Sequence, residues 1–188
     1  MARSAFDLRF RRRLQDKDPI PEIAIDRHGL ATAVNPTIRI GSLAPTQLGP
    51  AFEDLFATGG TRVATNLAST NATKEALTSY RGRNTGRYAK FATLQYFATA
   101  PAHPTVYVLS LSDGGALAVF PTAHTSEFML KPQYMTSLQI TPSKTEALYD
   151  SAKRAIVTDT YQGQALAIMQ PSGKPRVLAR EYRLVDSK

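Results

Sequence analysis

The chain has 188 residues, of which 43% are hydrophobic, and it carries a formal net charge of +8. These values fit one globular domain with a short extra arm and exclude a disordered composition. No apolar run approaches the ~20 residues that span a bilayer. The absence of cysteine excludes disulfides, thiolate metal sites and cysteine nucleophiles.

Residues 1–18 are predicted to be a basic N-terminal arm. As a helix, the arm would carry a thin apolar stripe, and no apolar core of a secretory signal follows its basic residues. Two interpretations remain open: a frayed terminus, or a helix that docks on an anionic membrane surface. The arginines that would make this contact are Arg9, Arg11, Arg12 and Arg13. For the chain as a whole, we favour a solvated basic surface over specific nucleic-acid binding.

Residues 19–44 are predicted to be a strand and turn connector. Residues 22–26 alternate as a strand does, and Arg27-His28-Gly29 predicts a tight turn. Residues 30–34 are then expected to pair back onto the first strand.

Residues 45–188 are predicted to form the main domain, which begins with two helices. Apolar residues at helical spacing predict these helices over residues 44–60 and 70–83. Gly59-Gly60 ends the first helix as a left-handed cap, and Thr70 or Asn71 caps the second.

From residue 88 onward the apolar residues alternate with a period of two, which predicts strands. The strands and turns expected are a strand in the second half of 88–100, a hairpin of 104–111 with 115–123, short strands over 126–132 and 135–141, a short helix over 141–152, a hairpin over 155–171 turning at Gln162-Gly163, and a last strand over 175–185. Phe91 and Phe97 are interpreted as core residues. The order predicts an α+β fold, with N-terminal helices packed on a curved, mainly antiparallel, cone-like sheet and one short inserted helix.

Ser112-Asp113-Gly114-Gly115 lies between the two strands of the first hairpin. The glycines resemble a phosphate-binding loop, but the P-loop lysine is absent and a strand follows where a helix is required. The pattern therefore predicts a hairpin turn.

Few residues are candidates for catalysis, because the chain has no nucleophile signature and no metal-ligand spacing. His103 and His124 lie near strand ends, where they are expected to be neighbours. Asp159 shares a strand face with Val157 and Tyr161, and we favour its interpretation as an edge charge that discourages aggregation. The candidates for acid–base catalysis are Asp159, His103, His124 and Tyr161. No metal or cofactor is predicted.

Four segments carry a family resemblance: "IPEIAIDRHGLATAVNP", "LAPTQLGPAFEDLF", "HPTVYVLSLSDGGALAVF" and "GKPRVLAREYRL". Over roughly residues 19–185 the chain resembles the second lobe of an actinobacterial family of secreted or membrane-anchored proteins of unknown function. The resemblance implies an extracytoplasmic module without chemistry, and it transfers no catalytic residue. The family's signal or membrane anchor is not seen in this chain, where the basic arm takes its place, so the compartment is left unassigned.

The element order is also similar to the cone-shaped fold of the nuclear transport factor 2-like superfamily. In that fold, helices cover the concave face of a bent sheet and leave a pocket. The analogy concerns the fold alone, since fold does not determine function.

Three hypotheses about function follow. The favoured one is a non-enzymatic module that binds an unidentified small ligand or a protein partner, including a second copy of the chain. The second is a small pocket enzyme that uses general acid–base catalysis. A buried His and Asp together in an open pocket would count against the first hypothesis. The third is docking of the basic arm on an anionic membrane surface or on nucleic acid.

Overall fold

The structure, a computed structural model, describes residues 21–188. Two helices follow the connector and precede all the strands. Helix α1 is Leu48–Ala57 and helix α2 is Asn71–Gly82. The strands are β1 Ala92–Ala98, β2 Tyr107–Ser110, β3 Ala116–Leu130, β4 Ile156–Met169 and β5 Arg176–Ser187. The predicted α+β class is confirmed, and the short inserted helix is the single 3-10 turn Glu146–Leu148.

The strands form one open sheet in which every pair is antiparallel. The order across the sheet is β1-β3-β4-β5, and β2 pairs with the first part of β3. Strands β3 and β4 are therefore paired on both sides, and β4 lies between β3 and β5 along most of its length.

The connector before α1 extends the hairpin of β2 and β3. Ile25 pairs with Ala31 around a turn in which Gly29 has a φ of +76°. Single bridges then join Ile23 to Leu111 and Ala33 to Leu109. The predicted turn at residues 27–29 is confirmed.

Both helix ends form as the sequence predicts. Gly59 and Gly60 follow α1 with φ values of +76° and +78°, the left-handed conformation that glycine adopts without strain. The hydroxyl of Thr70 accepts a hydrogen bond from the Thr73 backbone N–H at 3.3 Å and so caps α2. The helices therefore begin and end for local reasons.

The main core lies between the helices and one face of the sheet. Phe52 of α1 meets Phe120 of β3 edge to face, with ring centroids 6.4 Å apart. Small side chains on β3 and β4 let α1 lie close to the sheet; they are the fully buried Ala116, Ala118, Ala165 and Ala167. The same half of the sheet buries a smaller apolar cluster on its other face, around Leu166, Ile168 and Leu178.

Two strand predictions are wrong, and both errors arise from polar residues. The predicted strands 115–123 and 126–132 are one continuous strand, β3, whose inward positions carry Thr122, His124 and Ser126. These residues resemble a loop in the sequence, yet they are buried. Residues 135–141 form no strand and make only a single bridge, between Ile140 and Arg154.

The predicted hairpin turn at Gln162-Gly163 is also wrong, because β4 runs straight through it. Gly163 pairs with Thr122 on one side and Tyr182 on the other. A Cβ at Gly163 would collide with the Glu181 carbonyl oxygen and lie 2.8 Å from Tyr182 Cδ1. The glycine therefore permits close approach of β5, and no turn is made there.

The predicted turn of the first hairpin is confirmed, whereas the core assignment of two aromatics is not. Gly114 has a φ of +81°, and Asp113 accepts a hydrogen bond from the Gly115 backbone N–H at 2.9 Å. Phe91 and Phe97, in contrast, are 36% and 45% exposed. Alternation along β1 buries Tyr96 and turns Phe97 outward.

The strands are much longer than the helices that cover them. Helix α1, with 10 residues, is ~15 Å long, whereas β4, with 14 residues, is ~46 Å long. The helices therefore cover one half of the sheet, and the inward face of the other half is left accessible beyond the end of α1.

We predict that Gly163→Ala destabilises the protein by roughly 1–3 kcal/mol, because the new methyl group forces β5 away from β4. Chemical denaturation measures the free energy of unfolding. Gly82→Ala is the matched control, because a Cβ at this position in α2 meets nothing within 4 Å. Equal stability of the two variants would contradict this account of Gly163.

Candidate functional site

A network of three side chains joins α1 to the sheet where the helix ends. Glu53 of α1 is 3% exposed and lies beside His124 of β3 and Tyr182 of β5. Its Oε2 is 2.9 Å from His124 Nδ1, and its Oε1 accepts a hydrogen bond from the Tyr182 hydroxyl. Since an ionised carboxylate only accepts hydrogen bonds, Nδ1 of His124 carries a proton. His124 Nε2 is then the ring atom left for proton exchange.

The ring of His124 is enclosed by aromatic side chains. It stacks on Phe56 and on Tyr161, with centroid distances of 4.6 and 5.3 Å. Tyr182 and Tyr96 meet it edge to face at 4.7 and 5.9 Å. These contacts, together with the Glu53 hydrogen bond, hold the imidazole in one orientation.

The tyrosines around the network stay protonated at neutral pH. Burial, followed by the negative charge of Glu53, raises the pKa of Tyr182 far above its usual value. Burial and then the charge of Asp159 raise the pKa of Tyr161 to about 12. Both phenols therefore act as hydrogen-bond donors to the carboxylates beside them.

Asp159 is a second buried carboxyl group on the same face of the sheet. It is 6% exposed and accepts a long hydrogen bond, 3.4 Å, from the Tyr161 hydroxyl. Burial raises its pKa, the charge of Glu146 adds to this shift, and the nearby Ser187 hydroxyl opposes it without reaching hydrogen-bond geometry. Within residues 21–188, the Oδ1 atom of Asp159 has no hydrogen-bond partner.

The preferred interpretation of Asp159 as an edge charge is wrong. Strand β4 is paired on both sides at this residue, with Ser126 of β3 and Ser187 of β5. The side chain points toward the helix side of the sheet with Tyr161, as its predicted shared face requires. An edge position would have left it in solvent.

The sheet face that carries His124 and Asp159 borders a cavity of about 400 Å³ beyond the end of α1. Its walls include His124, Asp159 and Tyr161 together with Phe128 and Arg180. The guanidinium of Arg180 lies 5.5 Å from the Phe56 ring centroid, and it pairs with Glu75 of α2 at 3.4 Å. Aromatic walls and buried polar groups converge here, as they do in pockets that bind small molecules.

The structure brings together three of the four sequence-predicted candidates. His124, Asp159 and Tyr161 line the same cavity. His103 is exposed in the loop between β1 and β2 and does not line it. The arginines proposed for contact with an anionic surface, Arg9, Arg11, Arg12 and Arg13, lie outside the described residues.

Four residues of the site were missed by sequence reasoning: Glu53, Glu146, Arg180 and Tyr182. Glu53 is three residues before Phe56 and therefore on nearly the same side of α1, a placement that would have marked it as a carboxylate facing the sheet. Glu146 does have a sequence signal, because it follows Ser143 by three residues, the spacing of a capping box, and the two residues exchange hydrogen bonds in both directions. Nothing local distinguishes Arg180 and Tyr182, which reach the site only through the register of β5.

Two further observations concern metal sites and membrane spans within residues 21–188. No three His, Asp or Glu side chains in this range are placed to hold a metal ion together. Within the same range, no helix is both long enough and apolar enough to cross a bilayer.

Comparisons with known proteins place the chain among relatives without an assigned activity. The family described as "Domain of unknown function (DUF8094)" matches residues 8–188. "Uncharacterized lipoprotein SCO6871" of Streptomyces coelicolor is 30% identical over 164 residues, which cover 85% of this chain and 45% of that protein. The chain thus spans less than half the length of this relative. No solved structure matches it. The predicted resemblance to an actinobacterial family of unknown function is confirmed.

We predict that Asp159→Asn stabilises the protein at neutral pH, because it removes a carboxylate whose charged form burial disfavours. Since burial raises the folded-state pKa of Asp159 above its ordinary value of 3.8, protonation favours the folded state, and this contribution is lost as pH rises through the raised pKa. The stability difference between variant and wild type should therefore grow with pH above the ordinary value.

Denaturation curves at several pH values measure this difference. Asp186→Asn is the matched control, because Asp186 pairs with Thr160 and so lies on the other face of the sheet. Its effect should stay within about 0.5 kcal/mol at every pH. A destabilised Asp159→Asn variant at neutral pH would show that the carboxylate is stabilised where it lies.

Proposed function

The chain belongs to the DUF8094 family of domains of unknown function, and we propose that it is a non-enzymatic module that binds a small molecule in the cavity beyond α1. The observation that carries the proposal is the cavity itself, whose volume of about 400 Å³ suits a small organic ligand. Its aromatic walls supply apolar contact area, and its few buried polar groups supply orientation.

We propose that the module works on the extracytoplasmic side of the membrane. The support is the relative from Streptomyces coelicolor, whose name describes a lipoprotein. A lipoprotein is held at a membrane surface by its lipid, so a folded module of this kind faces solvent beside the bilayer.

We also propose that the architecture is a variant of the nuclear transport factor 2-like cone. The supporting features are helices that precede the sheet in the chain, pack on one of its faces and leave a cavity near the helix end. The analogy supports a pocket and says nothing about a reaction.

Acid–base catalysis is the second candidate, and one specific observation favours it. His124 and Asp159 are both buried and line one cavity, the arrangement that counts against a purely binding role. Glu53 contacts Nδ1 of His124 at 2.9 Å, so Nε2 is the ring nitrogen that this carboxylate does not occupy and the one that acid–base catalysis would use.

A ligand-observed NMR screen of small organic fragments tests the binding proposal. Ser79→Trp should abolish binding of the fragments found with the wild type, because Ser79 of α2 lines the cavity and an indole there would fill it. Thr78→Trp is the matched control on the same helix, since Thr78 does not line this cavity and should leave binding unchanged.

The same fragments distinguish the two candidate functions. Fragments recovered chemically unchanged after incubation support a binding module. If the wild-type protein converts a fragment chemically and the His124→Gln variant does not, the protein is an enzyme instead. Fragments that bind Ser79→Trp as well as wild type would contradict a ligand site in this cavity.

A further inference from the structure

One end of the cavity carries two carboxyl groups without a basic partner. Asp159 and Glu146 are close enough for the charge of Glu146 to affect Asp159. No lysine or arginine within residues 21–188 forms an ion pair with either of them. A buried carboxylate that lacks a cation is costly, unless a proton or a ligand supplies the positive charge.

The second observation is the carboxyl oxygen that the protein leaves unpaired. Asp159 is only 6% exposed, it lines the cavity, and its buried Oδ1 atom has no hydrogen-bond partner. The carboxyl of Asp54, also 6% exposed, provides a contrast within the same chain. It accepts hydrogen bonds from the Thr58 hydroxyl and from the backbone N–H groups of Arg62 and Ala64. The protein thus satisfies a buried carboxylate with a structural role, and leaves the one in the cavity incompletely bonded.

Aromatic rings line the space next to these carboxyl groups. Tyr161 donates its hydroxyl to Asp159, and Tyr96 and Phe128 line the cavity beside it. The faces of aromatic rings attract organic cations, while their apolar surface accepts a hydrocarbon stem. Carboxylates and ring faces together make an environment suited to an ammonium group.

The positive charge of Arg180 lies toward the other end of the cavity. The backbone of Arg180 lies opposite Ala165 of β4, six residues beyond Asp159 on that strand. Its guanidinium pairs with Glu75 of α2 at 3.4 Å. The negative charge of Glu75 therefore offsets part of the repulsion between this guanidinium and a cation held at Asp159.

We propose that the cavity binds an organic amine, with its ammonium group at Asp159 and Glu146 and its apolar stem against Tyr96, Tyr161 and Phe128. This inference rests on the proposed small-molecule site and names the class of its ligand. The ammonium donates charge-assisted hydrogen bonds to the Asp159 carboxylate, which accepts only the long hydrogen bond from Tyr161 among residues 21–188.

Three probes of equal length test the ligand class: n-hexylammonium, 1-hexanol and hexanoate, each titrated into the protein and followed by NMR and calorimetry. Hexylammonium should bind roughly tenfold or more tightly than hexanol, because the alcohol lacks the charge-assisted hydrogen bonds. Asp159→Asn should remove this preference, and Asp186→Asn, with the same charge change on the other face, should keep it.

The outcomes separate the ligand class from the site. If hexanol and hexylammonium bind equally in a manner that Ser79→Trp blocks, the amine inference is wrong and the small-molecule site remains. Preference for hexanoate, or a hexylammonium affinity unchanged in Asp159→Asn, also overturns the inference. If the fragment screen and all three probes show no binding, the proposed small-molecule function and the amine inference both fail.

Discussion

The burial of the Glu53 carboxylate is the constraint on which the arrangement of this protein depends. An ionised carboxylate inside a protein is strongly destabilising unless hydrogen-bond donors surround it. Here the donors come from two different strands, His124 on β3 and Tyr182 on β5. The requirement therefore fixes the position of α1 on the sheet and, through it, the orientation of the two side chains that continue into the cavity.

The cavity itself follows from a difference in length between helices and strands. Alanines on β3 and β4 let α1 pack closely on one half of the sheet, and the helix ends at Gly59 and Gly60 before it reaches the other half. Among residues 21–188, no helix buries the inward face of that second half, and this face bears aromatic and ionisable side chains where the first half bears alanine. The chain therefore divides one sheet face into a packed core and a lined cavity, with the Glu53 network at the boundary.

Local signals in the sequence predict the elements that depend on local chemistry. The glycines after α1, the Thr70 cap and the turn at Gly114 all form as expected, because each depends on residues close in the chain. The strands were predicted less well where burial and polarity conflict. In the sequence His124 resembles a strand end and Gly163 resembles a turn. Both residues are instead inside long strands, because contacts with neighbouring strands determine their positions.

The candidate site shows the same division. The alternation of β4 correctly placed Asp159 and Tyr161 on one face, and His124 was recognised as a candidate from its residue type. Alternation alone does not distinguish an interior strand from an edge strand, and the edge-charge interpretation of Asp159 fails for this reason. Arg180 and Tyr182 reach the site through the register of β5, which no local pattern specifies, whereas the helical spacing of Glu53 and Phe56 is a local signal that places Glu53 toward the sheet.

The Glu53 network requires that Nδ1 of His124 carries a proton, which it donates to the carboxylate. Long-range ¹H–¹⁵N NMR of the histidine side chains tests this directly, because the two ring nitrogens of each tautomer have distinct chemical shifts. The Glu53 hydrogen bond predicts a proton on Nδ1 of His124 at neutral pH, and this hydrogen bond should protect the proton from exchange. An unprotonated Nδ1, with the proton on Nε2, would contradict it.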